Sequence, residues 1–333
     1  MAANSSEVWQ RGRVVEAREV ARDIRRIVIE PDAPARAAPG THVDVAVVVN
    51  GERDVRPYSV VDSDDGGSRL ALSVFRTRTS RGGSEFMNTL APGDAIELTQ
   101  PMQNFPLRIG APRYVILAGG IGVTAVLGMA RVLARLGADY RFIYAGRSRD
   151  AMAYLDELPS EHGSHLEVHV DGEGTPLDVR ALVGALDRDT ELYMCGPIRL
   201  MDAVRRAWQD AGLELPNLRY ETFGNSGWFD PEEFIVRIPR LGLETVVPEG
   251  RSMLEALEAA GADMMFDCRK GECGLCEVEV LDLVGDLDHR DVFYSRRQQQ
   301  ASAKMCCCVS RVTTAKSTPR PGAGRPVVSI EVS

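Results

Sequence analysis

The tightest constraint in this sequence is a short cysteine run, Cys268-Arg-Lys-Gly-Glu-Cys273-Gly-Leu-Cys276, with Cys308 following 32 residues later. C-x4-C-x2-C with a distant fourth cysteine is the plant-type [2Fe–2S] spacing. Four thiolates have to converge on two irons, so three of them sit on one tight loop, where Gly271 and Gly274 let the backbone wrap the cluster. Backbone N–H groups of such a loop point at the sulfurs and stabilise added negative charge. Structural zinc, the competing reading, usually takes two similar C-x2-C pairs or a Cys/His mix, and no histidine lies near Cys273. Cys306, Cys307 and Cys308 are adjacent and only one is needed, so the spacing alone leaves the fourth ligand open.

Six of the seven cysteines lie within 268–308, unlike the scattered cysteines of a short secreted disulfide scaffold. A chain of 333 residues exceeds what one hydrophobic core usually organises, so two or three domains are expected. Its 44% apolar and 26% charged content excludes a mostly disordered or coiled-coil chain. Net charge is −9 with no Lys/Arg block, which argues against nucleic-acid or anionic-membrane binding. Residues 1–13 lack the apolar centre of a secretory signal. The longest uncharged run, Tyr114–Ala130, has four glycines and reads as strand, loop and helix rather than a membrane span. A cytoplasmic protein acting as a monomer is expected.

Three regions differ in rhythm. Residues 7–108 carry short β-rich runs (Arg25–Ile29, His42–Val49, Arg69–Phe75, Ala95–Leu98) between turn signals such as Asn50-Gly51 and Pro92-Gly93, which predicts an antiparallel β-barrel. Residues 109–224 alternate strands (Tyr114–Ala118, Arg141–Ala145, Leu166–Val170, Glu191–Cys195, Leu218–Phe223) with helices at Thr124–Leu136, Asp150–Leu158, Leu177–Leu186 and Arg199–Ala211. That pattern predicts an α/β domain with a parallel sheet. Gly224-Asn225-Ser226-Gly227 reads as a break, with a linker over 225–232. Over 233–333 a hairpin (Glu233–Ile238, Glu244–Val247), a helix (Ser252–Ala260) and strands Glu277–Leu281 and Val327–Val332 are expected, with a Pro/Gly/Thr-rich insertion at Thr313–Pro326.

Two further motifs carry chemistry. Arg56-Pro57-Tyr58-Ser59 follows a β run, with Arg81-Gly82-Gly83-Ser84 downstream. As a flavin site, Arg supplies charge to a phosphate, Tyr a flat face and Ser a hydrogen bond to the reactive ring edge. Gly82, Gly83 and Ser84 would offer backbone N–H groups, with a helix opening at Glu85. Read alone, the first motif is equally a buried Tyr beside a surface Arg. Gly119-Gly120-Ile121-Gly122-Val123-Thr124 directly follows a predicted strand and fits a phosphate-binding turn. The acidic residue usual at the end of the next strand is absent; Gly146-Arg147-Ser148-Arg149 stands there. Cys195-Gly196-Pro197 would set a small polarizable side chain against a cofactor ring, although without the neighbouring motifs Cys195 reads rather as a small core residue.

Taken together and in this order, these motifs resemble the phthalate dioxygenase reductase family, which includes the vanillate demethylase reductases, over essentially the whole chain. The resemblance implies an FMN-binding barrel, an NAD(H)-binding domain of the ferredoxin–NADP reductase type and a C-terminal β-grasp (α+β) plant-type ferredoxin domain. It implies flavin contacts from Arg56, Pro57, Tyr58 and Ser59, from Val74, Phe75 and Arg76 on the strand beside the flavin, and from Gly82, Gly83 and Ser84 at its phosphate. For the nicotinamide dinucleotide it implies Gly119, Gly120, Gly122, Thr124, Cys195, Gly196 and Pro197; the residues Arg147 and Arg149 themselves are able to accommodate a 2′-phosphate, which keeps NADPH open beside the family's NADH. Glu221-Thr-Phe223-Gly224 is similar to the family's E-S-F-G, whose Phe lies near the flavin. Cys308-Val-Ser-Arg311 is similar to its C-V-S-R, which selects Cys308 beside Cys268, Cys273 and Cys276 as the metal ligands. Ser59, Thr124, Cys195 and Phe223 are the residues implied next to the reacting rings. Asp288-His289-Arg290-Asp291, also shared, is expected to be a structural turn rather than a proton relay.

The implied function is transfer of electrons from NADH (NADPH being possible) through FMN and a [2Fe–2S] cluster, at about −400 mV for a plant-type centre, to a terminal oxygenase or demethylase of Rieske type. Alternatives are the same relay serving a cytochrome P450 or another acceptor, and a non-catalytic iron–sulfur or zinc redox sensor. Arg290, Arg296, Arg297 and Lys304 form either a docking patch for an acidic partner or a solvated face.

Overall fold

A computed structural model describes residues 7–49, 51–64, 66–77, 82–223, 229, 231–314 and 325–332. The chain divides into two compact units, Met1–Glu221 and Thr222–Ser333. Arg81, Gly224-Asn225-Ser226-Gly227 and most of the Thr313–Pro326 insertion lie outside the described residues.

The first unit holds two sheets. One is antiparallel and built from β1 (Trp9–Ala21), β2 (Ile24–Pro31), β3 (Thr41–Val49), β4 (Glu52–Ser63), β5 (Leu70–Phe75), β6 (Ala95–Thr99) and short β7 (Met102–Gln103). β4 pairs with both β3 and β5, while Val45 of β3 pairs with Leu98 of β6, so six strands close into a barrel. Closure leaves no free edge. Alternate residues of β3 (Val43, Val45, Val47) point inward and are fully buried beside Ile27, Leu70 and Leu72. α1 (Gly83–Thr89) interrupts the barrel between β5 and β6.

The second sheet is parallel: β8 (Arg113–Gly119), β9 (Tyr140–Gly146), β10 (Leu166–Val170), β11 (Thr190–Cys195) and β12 (Leu218–Glu221), in the order β10-β9-β8-β11-β12. α2 (Val123–Leu136), α3 (Leu158–His162), α4 (Val179–Gly184) and α5 (Ile198–Asp210) connect them. Tyr114–Gly119 of β8 is buried without a break, as a strand covered on both faces must be. The chain leaves β8 toward β9 and β10, then returns to the other side for β11 and β12. That reversal opens a crevice at the carboxyl ends of β8 and β11, where open parallel sheets hold ligands.

The second unit is a mixed sheet, order β14-β13-β19-β15-β17, of β13 (Phe234–Ile238), β14 (Leu243–Val247), β15 (Glu277–Val284), β17 (Lys304–Cys306) and β19 (Val327–Glu331). β13 and β19 run parallel and the other pairs antiparallel. Short β16 (Asp286–Asp288) pairs with β18 (Arg311–Thr313). α6 (Met253–Ala259) starts in a capping box between Ser252 and Glu255 and buries Met253, Leu254 and Leu257 in the core. α7 (Arg296–Ala301) lies before β17. This is the expected β-grasp arrangement.

One expected helix is corrected, and several elements were not foreseen. β1 and β4 went unread, because charges on both faces (Arg11, Arg13, Glu16, Arg18) and Pro57 break the alternation. The helix expected over Asp150–Leu158 does not form: a 3₁₀ turn at Arg149–Ala151 and turns through Tyr154, whose φ is +66°, precede α3 at Leu158. α7 carries RRQQQA, with no apolar stripe to announce it.

Candidate functional site

The flavin motif lies on β4 and at the start of α1. Gly82 takes φ +86° before α1, which opens at Gly83 rather than Glu85. A β-carbon on Gly83 would stand 2.7 Å from Arg56 Cγ, so the turn lies directly against the Arg56 stem. Arg56 pairs with Asp54 at 2.6 Å and donates to the Val55 carbonyl. Burial pushes the Tyr58 hydroxyl upward while the Arg56 charge pulls it down, and Tyr58 packs partly on the barrel core. Ser59 donates to Glu221 at 3.2 Å, both buried, joining β4 to the end of β12. Sequence reading missed the Glu221 role; a contact spanning 162 positions leaves no local signal. Val74 faces the core, Phe75 is exposed, and Arg76 lies just past β5, tied to Asp23 at 3.0 Å.

At the carboxyl ends of β8 and β11 the two remaining motifs of this unit meet. A β-carbon on Gly122 would overlap the Cys195 carbonyl, and one on Gly119 would come within 2.7 Å of Leu200 and 2.8 Å of Pro197. Only glycine permits this backbone-to-backbone approach. Cys195 is buried. Thr124 is buried too and donates to the Ile121 carbonyl at 2.9 Å, so its hydroxyl serves the loop. Past β9, Arg147 is exposed, whereas Arg149 is neutralised by Glu173 at 2.6 Å.

In the second unit, Cys268 Sγ accepts N–H groups from Lys270, Glu272 and Cys273, each at 3.4 Å. Burial pushes that thiol up and the three N–H groups pull it down. Gly271 sits at φ +75°, and a β-carbon there would come within 2.6 Å of Val309 and 2.9 Å of the Asp291 backbone. The neighbouring thiols of Cys306, Cys307 and Cys308 pull the Cys276 thiol down. Among the described residues no three such side chains are already closed into a metal-ligating set. The loop nevertheless has the chemistry a cluster needs: thiols on a glycine-rich turn, amides aimed at sulfur, and a second cysteine segment against the third thiol. Thr222 donates its N–H to Glu272 at 2.8 Å and its hydroxyl to the Lys270 carbonyl at 2.9 Å. These bonds fasten the segment carrying Phe223 to the cysteine loop.

Ser310 and Arg311 serve the fold. Ser310 donates to Asp291 at 3.2 Å, and Arg311 donates to the carbonyls of Glu232 and Pro248, both at 2.9 Å. Asp288 and Asp291 are fully buried; Arg290 pairs with Asp288 at 2.7 Å and donates to the Phe229 carbonyl. The tetrad is therefore a buried structural turn. The basic patch is corrected accordingly: Arg290 is inside, Lys304 pairs with Glu277, Arg297 is exposed, and the Arg296 side chain lies outside those described. No described helix is long and apolar enough to cross a membrane.

Comparison with known proteins agrees with this construction. Residues 11–106 match the oxidoreductase FAD-binding domain and residues 236–313 the 2Fe-2S iron-sulfur cluster binding domain. The chain is 32% identical over 329 residues to phthalate dioxygenase reductase of Burkholderia cepacia, covering 95% of this chain and 98% of that one. It is 31% identical to the carnitine monooxygenase reductase subunit of Acinetobacter pittii, covering 83% and 90%. A solved structure of phthalate dioxygenase reductase superposes with TM-score 0.70 at 30% identity, over 97% of this chain and 98% of that chain. An intact type IV self-sufficient cytochrome P450 monooxygenase superposes at TM-score 0.64 and 31% identity, over 97% of this chain; the chain spans 41% of that longer protein. The fold and sites define an NAD(P)H-dependent flavin and iron–sulfur oxidoreductase. The chain belongs to the phthalate dioxygenase reductase family of oxygenase reductase components.

Proposed function

We propose that this chain takes electrons from NADH, holds FMN as its flavin, and delivers electrons singly to a terminal oxygenase or demethylase of Rieske type, acting as a cytoplasmic monomer. The observation that carries the reading is the order of three sites on one chain: the barrel with its Arg56–Ser59 motif, the crevice between β8 and β11, and the thiol loop. When bound, a flavin accepts an electron pair as hydride and gives electrons up one at a time, and a [2Fe–2S] cluster carries them singly.

The chain's own residues position and tune. Arg56 and the backbone N–H groups of Gly82, Gly83 and Ser84 hold the FMN phosphate, with Pro57 and Tyr58 lining its ring. Ser59, fixed by Glu221, offers a polar atom to the ring edge. Gly119, Gly120 and Gly122 leave room for the dinucleotide phosphates, and Cys195, Gly196 and Pro197 line the nicotinamide. NADH as donor rests on the family resemblance; Arg149 is paired with Glu173 at 2.6 Å, while Arg147 is exposed and leaves NADPH open. Cys268, Cys273, Cys276 and Cys308 hold the cluster.

A second reading, delivery to a cytochrome P450, draws on the similarity to part of the self-sufficient monooxygenase. Purification with flavin, iron and sulfide analysis, followed by anaerobic mixing with NADH or NADPH and reoxidation by a purified Rieske oxygenase or a P450, tests both readings. Faster flavin bleaching by NADH and reoxidation by the Rieske protein are expected. Reoxidation by the P450 alone supports the second reading. Absence of flavin or of inorganic sulfide contradicts the relay itself.

A further inference from the structure

Tyr154 lies in the loop between β9 and α3 with φ +66°, a left-handed backbone that a bulky residue adopts only when its surroundings hold it there. We propose that Tyr154 is a positioning residue for hydride transfer. Its hydroxyl pins the nucleotide-side loop to the strand that leads into the flavin contacts, and so sets the approach of nicotinamide to flavin. The proposal rests on the flavin and nucleotide sites read above and gives a role to a residue outside every motif.

Strand register carries it. β2 and β5 are antiparallel, with Arg26 directly opposite Ser73 and Arg25 opposite Val74. Directly opposed residues project from the same face of a sheet, and neighbours along a strand from opposite faces. Val74 lies in the barrel core, so Ser73 and Arg26 point out of the barrel. Ser73 is nevertheless buried, as is Tyr154. The Tyr154 hydroxyl stands 2.5 Å from Ser73 Oγ and 3.4 Å from Arg26 Nη1. Arginine can only donate, so the tyrosine oxygen accepts from Arg26 and its own proton goes to Ser73. Arg26 is oriented in turn by Asp62 on β4, at 3.7 Å.

The two ends of this tie belong to the two halves of the reaction. Ser73 is followed directly by Val74, Phe75 and Arg76, the residues implied beside the flavin. The loop of Tyr154 leaves the carboxyl end of β9, the side of the sheet on which the dinucleotide crevice opens. It folds back closely there: a β-carbon on Gly146 would stand 2.6 Å from Met152 Cγ. At its far end the Tyr154 carbonyl accepts the N–H groups of Glu157 and Leu158, at 3.0 and 3.1 Å, at the entry to α3. Arg22 adds a surface tie, its N–H to the Asp150 carbonyl at 2.6 Å and its guanidinium to the Asp150 carboxylate at 2.7 Å. Tyr154 is thus fixed by its backbone to α3 and by its hydroxyl to β5. Hydride transfer needs the two rings almost in contact, and a misplacement of about 1 Å can cost about a hundredfold in rate.

The test uses the full holoprotein with Tyr154→Phe, Ser73→Ala and the double variant, mixed anaerobically with NADH over a range of concentrations. The limiting rate of flavin bleaching, the Kd for NADH, the long-wavelength charge-transfer absorbance and the thermal midpoint are read. Tyr154→Phe is expected to slow the limiting rate about tenfold and weaken the charge-transfer band, with flavin content unchanged and the Kd within about twofold. Each single variant leaves a buried hydroxyl without its partner and lowers the midpoint, whereas loss of both partners is close to neutral. The double variant should therefore regain the midpoint yet stay as slow as Tyr154→Phe, because the tie is still missing. A limiting rate that recovers together with the midpoint shows a merely structural hydroxyl and overturns the proposal. So does an unchanged limiting rate in Tyr154→Phe, or a loss confined to NADH affinity. A wild-type chain that purifies without flavin would instead overturn the functional reading on which the proposal rests.

Discussion

A single methyl group at Gly122 would drive the loop after β8 into the carbonyl of Cys195. Backbone cannot yield as a flexible side chain does, so Gly122→Ala is expected to cost about 1–3 kcal/mol of stability and to weaken NADH binding several-fold while flavin content stays normal. Thermal unfolding and NADH titration check this; unchanged NADH affinity would contradict the close packing of the two loops. Asp288 presents the opposite case, a fully buried charge held by Arg290. Removing one partner of a buried ion pair leaves the other uncompensated, at about 3–5 kcal/mol. Asp288→Ala should therefore lower the unfolding midpoint of the second unit sharply, whereas Arg297→Ala, on the surface, should not; equal effects would contradict a structural role for the tetrad. Residue types alone could not distinguish these arginines: Arg290 reads as surface charge until its buried partner is seen. The Cys268–Cys276 motif, by contrast, was legible because chemistry fixes its spacing locally.

Among the elements, α3 ends in His162, buried between Tyr140, whose hydroxyl is 2.8 Å from Nδ1, and Phe142. Burial holds its imidazole below the ordinary 6.5, with Arg131 and His165 acting the same way and Glu161, 3.7 Å away, opposing them. The folded unit thus binds fewer protons here than the unfolded chain. The contribution to stability is complete above pH 6.5 and is lost progressively as pH falls from there through the folded value. Between about pH 7.5 and 5.5 the first unit should lose more thermal stability in the wild type than in His162→Gln; parallel slopes would contradict it. A second element-level device is the clasp of Thr222 on Glu272. Glu272→Ala should cost about 1.5–3 kcal/mol for a hydrogen bond to a charged group and hasten cluster loss on dilution, and an unchanged cluster half-life would exclude a role for the clasp. Elements with strong periodicity (α2, α5 and the strands of the parallel sheet) were readable within a residue or two. β1, β4 and α7 were not, because barrel closure and tertiary packing, rather than local pattern, decide their state.

For the whole molecule, two compact units carry the donor side and the exit side of one electron path. The order of sites along the chain was legible because each motif has its own local residue pattern, and the glycine loop after β8 and Cys195 at the end of β11 sit at strand ends, where open parallel sheets hold ligands. The cross-strand and long-range partners (Glu221 for Ser59, Glu272 for Thr222, Cys307 for Cys276) were not, since they exist only once the sheets have formed. The central claim is that electrons pass within one chain from nucleotide to flavin to cluster. Anaerobic rapid mixing of the holoprotein with NADH, followed at flavin and cluster absorbance over a range of protein concentrations, tests it most directly. Flavin bleaching is expected first, then cluster bleaching at a rate independent of protein concentration, the second phase vanishing in Cys273→Ala while the first is kept. A cluster that stays oxidised beneath a reduced flavin, or one reduced at a rate proportional to protein concentration, would contradict the account.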